Sequence, residues 1–119
     1  MNLQELEGLP MARLRTDFRV SAYLARLEAA GVYASVIRRG DPQAGAVEVK
    51  LARLDGRATL YTRIYGPEGE SLWEPLGGLD APEAEVDARI SRRLGQDRDL
   101  WAIEVESRDG RHFLDSDAP

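Results

Sequence analysis

Apolar and polar residues alternate in three short runs between Tyr33 and Tyr65, and turn residues separate the runs. The first turn is long and extends from Arg38 to Gly45. The second is the pair Asp55-Gly56, which two-residue hairpin loops favour because both central positions take positive φ. Alternation of this kind is typical of a strand with one buried face. The pattern therefore predicts three consecutive strands, the last two of which form a β-hairpin.

A two-residue loop at Asp55-Gly56 determines which residues of the hairpin face each other. Glu48 then lies opposite Arg63 on a mixed polar face that we expect to be exposed to water. Lys50 lies opposite Tyr61 on the same face. The other face carries the apolar side chains Val47, Val49, Leu51, Leu60 and Ile64. We expect the first helix of the chain to pack on that apolar face.

That first helix is predicted from about Phe18 to Ala30, where apolar residues recur every three or four positions. Thr16 or Asp17 supplies its N-cap, and Gly31 follows its end. One apolar stripe runs through Val20, Tyr23, Leu24, Leu27 and Ala30, and a second through Phe18, Ala22, Ala25 and Ala29. An apolar surface of this width predicts a helix that packs on more than one side.

A second helix is predicted in the later part of the chain, after a short edge strand from Ser71 to Leu76 that Pro75 limits. Asp80 is its expected N-cap, and Gly95 follows its end. The apolar stripe of this helix is narrow and consists of Val86, Ile90 and Leu94. A narrow stripe is typical of a helix that lies on the surface of a domain.

The chain then alternates cleanly from Leu100 to Glu106, which predicts a strand, and Asp109-Gly110 turns it into a short strand from Arg111 to Leu114. The predicted order is helix, three strands, helix, strand and short strand. We expect one α+β domain over residues 13–114, in which both helices cover one face of a mainly antiparallel sheet. Residues 1–12 are expected to be an N-terminal extension, and residues 115–119 a C-terminal tail.

Composition narrows the possible chemistry. The chain has 119 residues, no cysteine and one histidine, which excludes disulfides and zinc sites built from cysteine or several histidines. No metal or other cofactor is predicted. No apolar run is long enough to cross a membrane, and no secretory signal is visible, which favours the cytoplasm.

Charge is divided unevenly along the chain. Its net charge is -5, but residues 1–66 carry 10 basic and 7 acidic side chains, whereas residues 67–119 carry 6 and 14. The acidic balance disfavours a protein whose whole surface binds nucleic acid. The basic first half is still compatible with a local surface that binds anions, and nucleic acid is therefore not excluded as a partner.

The loop from Arg38 to Gly45 is the best candidate for a binding site. Arg38 and Arg39 precede a Gly-Asp-Pro turn, and Gly45 could present backbone N–H groups to an anion beside Asp41. The alternative is an ordinary loop in which the arginines are solvated and Asp41 caps its own turn. His112 has no second histidine or cysteine to work with and is interpreted as a packed or surface residue.

A catalytic alternative uses Asp41, Glu48 and Lys50, the only lysine in the chain. An Asp followed by Glu-x-Lys is the arrangement of one metal-dependent nuclease superfamily, in which the carboxylates hold a divalent metal ion. Short motifs of this kind are weakly specific. Glu48 also has a predicted cross-strand partner in Arg63, which explains it without a metal ion.

Several blocks of residues resemble a small family of uncharacterised alphaproteobacterial proteins, a domain of unknown function. The blocks are Val20 to Leu24, Arg38 to Pro42 with Ala44-Gly45, Leu54 to Gly56, Asp99 to Trp101, and Gly110 to Leu114. The resemblance covers nearly all of residues 13–114 and brings no activity, ligand or catalytic residue with it.

No nucleophile, general base and orienting group can be assembled from the residues present. We therefore expect a small cytoplasmic binding or regulatory domain without catalysis. Its partner is an unknown protein or a small anionic ligand, which the loop from Arg38 to Gly45 would recognise. The sequence leaves the oligomeric state open.

Overall fold

The computed structural model describes residues 14–69 and 71–114. The predicted N-terminal extension, 1–12, and C-terminal tail, 115–119, lie outside these residues. The elements, in chain order, are α1 (Thr16–Ala29), β1 (Tyr33–Arg38), β2 (Val47–Ala52), β3 (Arg57–Tyr65), β4 (Ser71–Pro75), β5 (Ala81–Pro82), α2 (Glu83–Gln96) and β6 (Trp101–Glu106).

The strands form one sheet in the order β1-β6-β2-β3-β4, and the two residues of β5 pair with the start of β3. Neighbouring strands are antiparallel except for β2 and β6, which run parallel in the centre of the sheet. Parallel neighbours need a long crossover, and the chain from β3 through α2 supplies it. The predicted α+β class with a mainly antiparallel sheet is confirmed.

The two helices pack on opposite faces of the sheet. α1 covers Val49 and Ile103 with Tyr23 and Leu27, as predicted for Val47, Val49 and Leu51, whereas Leu60 was wrongly assigned to the same face. α2 covers Leu60 on the other face with Val86 and Ile90. The expectation that both helices share one face is therefore wrong, because Ala58, Leu60 and Ala102 give the second face an apolar patch of its own.

The second apolar stripe of α1 points away from the sheet. Phe18 is 43% exposed, and Ala25 and Ala29 are exposed. No element among residues 14–69 and 71–114 covers this stripe, and the prediction that α1 packs on more than one side is wrong for the described part of the chain.

The β2–β3 hairpin has a register one residue away from the predicted one. Glu48 pairs with Thr62 and not with Arg63, and Lys50 pairs with Leu60 and not with Tyr61. The expectation that their face is exposed to water is also wrong, since Glu48 and Lys50 are each 3% exposed. The loop contains three residues, because the Arg53 N–H donates to the Arg57 carbonyl and both Leu54 and Gly56 take positive φ. An Asp-Gly pair therefore does not make a two-residue loop here, since Leu54 joins the turn.

Several element ends also differ from the prediction. α1 starts at Thr16, after Arg15, and α2 starts at Glu83, after Pro82, and neither helix has a side-chain cap at its N-terminus. Asp80 instead donates its N–H to the Thr59 hydroxyl. Residues 111–114 form no strand, since Leu114 donates its N–H to Nδ1 of His112 in a local turn.

Gly31 does end α1 as predicted. It has φ of 74°, its N–H donates to the Glu28 carbonyl, and the Val32 N–H donates to the Leu27 carbonyl. This pair of hydrogen bonds is the Schellman arrangement, in which glycine avoids the cost of a left-handed Cβ. Within the described part of the chain, neither helix has the length and apolarity to span a membrane.

Candidate functional site

The loop between β1 and β2 is attached to both of its neighbours. The N–H groups of Thr16 and Asp17, at the start of α1, donate to the Gln43 and Pro42 carbonyls. The Thr16 hydroxyl donates to the Gly45 carbonyl at 2.8 Å. These bonds satisfy amides that the first turn of a helix otherwise leaves without a partner. The loop thus replaces the missing side-chain N-cap and holds the beginning of α1.

Arg38 is used inside the fold. Its guanidinium donates to the Leu94 carbonyl at 2.9 Å, to the Leu100 carbonyl at 2.8 Å and to the Asp97 carbonyl. These carbonyls belong to the end of α2 and the loop that follows it, where main-chain oxygens lack helical partners. Arg38 therefore links β1 to α2, and Arg39 is the accessible arginine of the pair.

Arg39 lies over the indole of Trp101, with 4.9 Å between the guanidinium carbon and the ring centroid. Trp101 is buried and donates its indole N–H to the Asp41 carbonyl at 2.7 Å. The Asp41 carboxylate accepts the N–H groups of Gln43 and Ala44, and so caps its own turn. The main chain of Gly45 is buried, and its N–H donates to the Asp41 carbonyl.

Gly40 and Gly45 are required by close packing of the main chain. A Cβ at either position would overlap the carbonyl oxygen of Asp99. That oxygen also accepts the Asp41 N–H at 3.0 Å. Glycine at these positions lets the loop approach the chain before β6, which explains the two glycines without a ligand.

A cavity of about 310 Å³ opens beside this loop, between the start of α1 and β3. We call it the Arg19 pocket. Its lining consists of Leu14, Thr16, Arg19, Gln43, Ala44, Gly45, Ala46, Val47, Thr62, Arg63 and Tyr65. Two of these residues are arginines and none is acidic, so the described lining is cationic.

Arg19 is the unusual group in this pocket. The residue is only 6% exposed, and its Nε and Nη2 atoms have no hydrogen-bond partner among residues 14–69 and 71–114. Buried polar groups are nearly always hydrogen-bonded, and each buried donor without a partner costs about 1–3 kcal/mol, or more when charged. Nε and Nη2 of Arg19 are therefore two buried donors whose acceptors are not among the described residues.

Arg63 supplies the second cation of the Arg19 pocket, from β3. Its guanidinium carbon lies 5.5 Å from the ring centroid of Tyr65, a distance at which the cation attracts the aromatic face. Tyr65 is exposed, so the ring stands at the rim of the pocket. The pocket therefore combines a buried fork of N–H donors with an aromatic and cationic rim.

The nuclease alternative is not supported. Glu48 forms an ion pair with Arg93 of α2 and accepts the Thr62 hydroxyl. Lys50 Nζ lies 2.7 Å from carboxylate oxygens of both Glu83 and Asp87. No three His, Cys, Asp or Glu side chains in the described part of the chain are grouped so that they could hold a metal ion.

His112 is packed, as interpreted from the sequence. Its ring stands edge-on to Tyr61 with 4.8 Å between centroids, and its carbonyl accepts the Tyr23 hydroxyl at 2.6 Å. Nδ1 accepts the Leu114 N–H at 2.8 Å, so this nitrogen is already occupied. The histidine thus fastens the end of the described chain to α1 and β3.

The family model described as a protein of unknown function, DUF1491, matches residues 14–115, which include the loop, the Arg19 pocket and His112. The chain belongs to the DUF1491 family. The resemblance predicted from the sequence blocks is therefore confirmed. No curated protein matches the chain significantly.

Solved structures of DUF1491 proteins share this fold. A crystal structure from Caulobacter crescentus CB15 has 40% sequence identity and a TM-score of 0.79, over 87% of this chain and 96% of that one. The solution structure of a protein from A. tumefaciens has 31% identity and a TM-score of 0.67, over 80% of this chain and 86% of that one. The family has no established function, so the chemistry of this member must be inferred from its site.

Sequence reasoning missed Arg19, the most informative residue of this DUF1491 chain. A signal was present, because Arg19 lies three residues after Thr16 and four before Tyr23. Both of these neighbours are buried on the sheet side of α1. A charged residue at a position of the apolar stripe is uncommon and indicates a buried partner or ligand.

Proposed function

We propose that this DUF1491 protein is a small cytoplasmic, non-catalytic binding or regulatory domain whose ligand is a small anion held in the Arg19 pocket. One observation carries the proposal: Arg19 is buried and two of its guanidinium nitrogens lack partners among the described residues. Buried N–H donors without acceptors destabilise the fold, and an anion in the pocket would remove that cost.

The dimensions of the pocket favour a small ligand. Its volume of about 310 Å³ is at the lower end of the range for small-molecule sites. A carboxylate or phosphate group can bind a guanidinium through two parallel N–H···O bonds. Arg63 would supply the second positive charge, and Tyr65 could pack against the remainder of the molecule.

The proposed anion site lies on the other side of the same loop from the site predicted at Arg38 and Arg39. Arg38 is occupied by carbonyls of α2 and the following loop, whereas Gly45 lines the pocket itself. Recognition by Arg39 and Asp41 at the outer side of the loop stays a prediction. The loop thus contributes the wall of the site, and α1 contributes its cation.

Arg19→Met tests the proposal through two readouts that change in different directions. Thermal unfolding would be followed with inorganic phosphate, sulfate, succinate, a phosphate monoester and an acidic peptide, at two sodium chloride concentrations. The wild-type protein should gain about 2.7 kcal/mol at a ligand concentration of 100 times Kd, and the variant should lose that gain. Without ligand, the variant should be as stable as the wild type or more stable, because it no longer buries the two N–H donors that lack acceptors among the described residues.

Arg92→Met is the matched control, since Arg92 is exposed on α2, on the opposite face of the sheet. It should keep the full response to the anion. The proposal fails if none of the probes stabilises the wild type, or if Arg19→Met still responds to them. A large loss of stability in Arg19→Met without ligand would make Arg19 structural, and a response to an acidic peptide alone would replace the small anion with a protein partner.

A further inference from the structure

Strand β1 forms one edge of the sheet. Its residues pair with β6 on one side, and no strand of the described chain pairs with the other side. The outer main-chain N–H and C=O groups of an edge strand are a template for a further strand. β1 is six residues long, which is enough for a stable pairing.

This edge lacks most of the features by which proteins prevent pairing with another chain. Such features are charged side chains, proline and bulges. Residues 33–37 contain no charge and no proline, and the one irregularity lies at the far end, between Val36 and Arg38. Tyr33 is 64% exposed and Ile37 43% exposed. The edge is therefore apolar and open along most of its length.

We propose that β1 pairs in antiparallel fashion with β1 of a second copy of the chain, about a two-fold axis that places Ser35 opposite Ser35 of the other copy. A two-fold axis makes the same surface serve both copies, so the strand needs only to complement itself. The two sheets then become one continuous sheet, and the main-chain groups of both edges become paired.

Charges at the two ends of β1 are complementary in this arrangement. Arg39 of one copy comes opposite Val32 of the other, because the irregularity between Val36 and Arg38 adds one residue to that end of the strand. Val32 lines a shallow cavity of about 450 Å³ together with Leu24, Glu28 and Tyr33. Glu28 of each copy therefore stands near Arg39 of the other. Among the described residues neither side chain forms a direct ion pair within its own chain, and the attraction between Arg39 and Asp17 acts at longer range.

Both charged groups lie on the same side of the sheet. Arg39 stacks on Trp101, which belongs to the core beneath α1, and Glu28 is on α1 itself. The antiparallel pairing thus brings opposite charges together twice, once at each end of the shared edge. This interface is separate from the Arg19 pocket, so the two proposals can fail independently.

A charge exchange tests the pairing in sedimentation equilibrium. The wild type should form a concentration-dependent dimer. Glu28→Arg and Arg39→Glu should each raise the dimer Kd about tenfold, and the double variant should restore it to near the wild-type value. Arg92→Glu, an exposed charge on α2, should leave the Kd unchanged. Circular dichroism would confirm that each variant is folded, as expected for exposed positions.

Single cysteines locate the interface, because the chain has no cysteine of its own. Ser35→Cys should form an interchain disulfide on mild oxidation, since paired strands bring Cα atoms within about 5.5 Å of each other near the axis. Ser91→Cys on α2 and Ser21→Cys on the outer side of α1 should not. A wild type that stays monomeric, or a dimer that cross-links through Ser21→Cys and not Ser35→Cys, would overturn the proposal.

Discussion

Lys50 shows how one side chain can hold a helix on a sheet. The side chain is 4% exposed, and its Nζ lies 2.7 Å from Glu83 and Asp87 of α2 and 3.0 Å from Glu104 of β6. Burial alone would lower the pKa of Lys50, but the hydrogen bonds to Asp87, Glu83 and Glu104 raise that pKa above its usual value. The folded protein therefore binds this proton more tightly than the unfolded chain does.

The raised pKa of Lys50 predicts how stability depends on pH. Below the unfolded pKa of about 10.4, the ion pairs of Lys50 make their full contribution to the free energy of unfolding. That contribution is lost as the pH rises through the higher pKa of the folded state. At pH 7, Lys50→Met should lower the free energy of unfolding by about 2 kcal/mol, less than for a fully buried pair because the carboxylates are partly exposed. Urea unfolding should show this difference constant to pH 9 and shrinking above about pH 10.5.

Arg98→Met serves as the control for this measurement, because Arg98 is exposed in the loop after α2. Its free energy of unfolding should follow that of the wild type at every pH. A difference between wild type and Lys50→Met that is absent at pH 7, or unchanged at pH 11, would contradict the structural role assigned to Lys50.

Among the elements, α2 depends on contacts at its ends more than on its own caps. Its N-terminus has no side-chain cap, and the Glu83 N–H donates to the Gly56 carbonyl in the β2–β3 turn. Its C-terminus is held by the Arg38 guanidinium, which also bonds the Leu100 carbonyl before β6. A helix with one narrow apolar stripe gains its position from these contacts and from the ion pairs of Glu48 and Lys50.

Arg38→Met should therefore lower the free energy of unfolding by about 2 kcal/mol, because carbonyls at the end of α2 lose their donors. Amide hydrogen exchange should speed up most in the last turn of α2 and in the loop to β6. Within its own chain, the neighbouring Arg39→Met removes chiefly the cation–π contact with Trp101, with a cost of about 0.5–1 kcal/mol. Equal effects of the two substitutions on stability and on exchange would show that Arg38 does not anchor α2.

In the molecule as a whole, one sheet supports two cores. Val49 and Ile103 contribute to the core beneath α1, and Leu60 and Ala102 to the core beneath α2. β3 and β6 thus carry side chains of both layers on alternate positions, as a sheet covered on both faces requires. Neither helix can detach without exposing strands on which the other helix packs.

We expect the two cores to unfold together. Leu27→Ala beneath α1 and Ile90→Ala beneath α2 should each lower the free energy of unfolding by about 2–5 kcal/mol. Fluorescence and far-ultraviolet circular dichroism should report one coincident transition for both variants. Leu79→Ala, at a site that is 66% exposed, should change little. Separate transitions for the two variants would mean that each layer folds independently.

Local chemistry was sufficient to predict much of this DUF1491 fold. The apolar stripes of both helices, the alternation of β6 and the end of α1 at Gly31 depend on neighbours within a few positions, and the structure contains them. The packing of α1 on Val47, Val49 and Leu51 was also predicted, because those residues alternate strictly with polar ones. The family was also recognised from the sequence, because each of its blocks consists of residues that are neighbours in the chain.

Tertiary contacts decided the rest. β3 has apolar side chains at both odd and even positions, such as Tyr61 and Leu60, so alternation could not select its register or reveal two covered faces. The sequence predicted Arg38 as a ligand-binding cation, but in the folded protein it donates to the Leu94 carbonyl at the end of α2. Arg19 was not singled out from the sequence, because only the loop and β3 bury it and leave two of its nitrogens without a partner among the described residues. Burial and pairing depend on residues far apart in the chain, and only the folded structure brings those residues together.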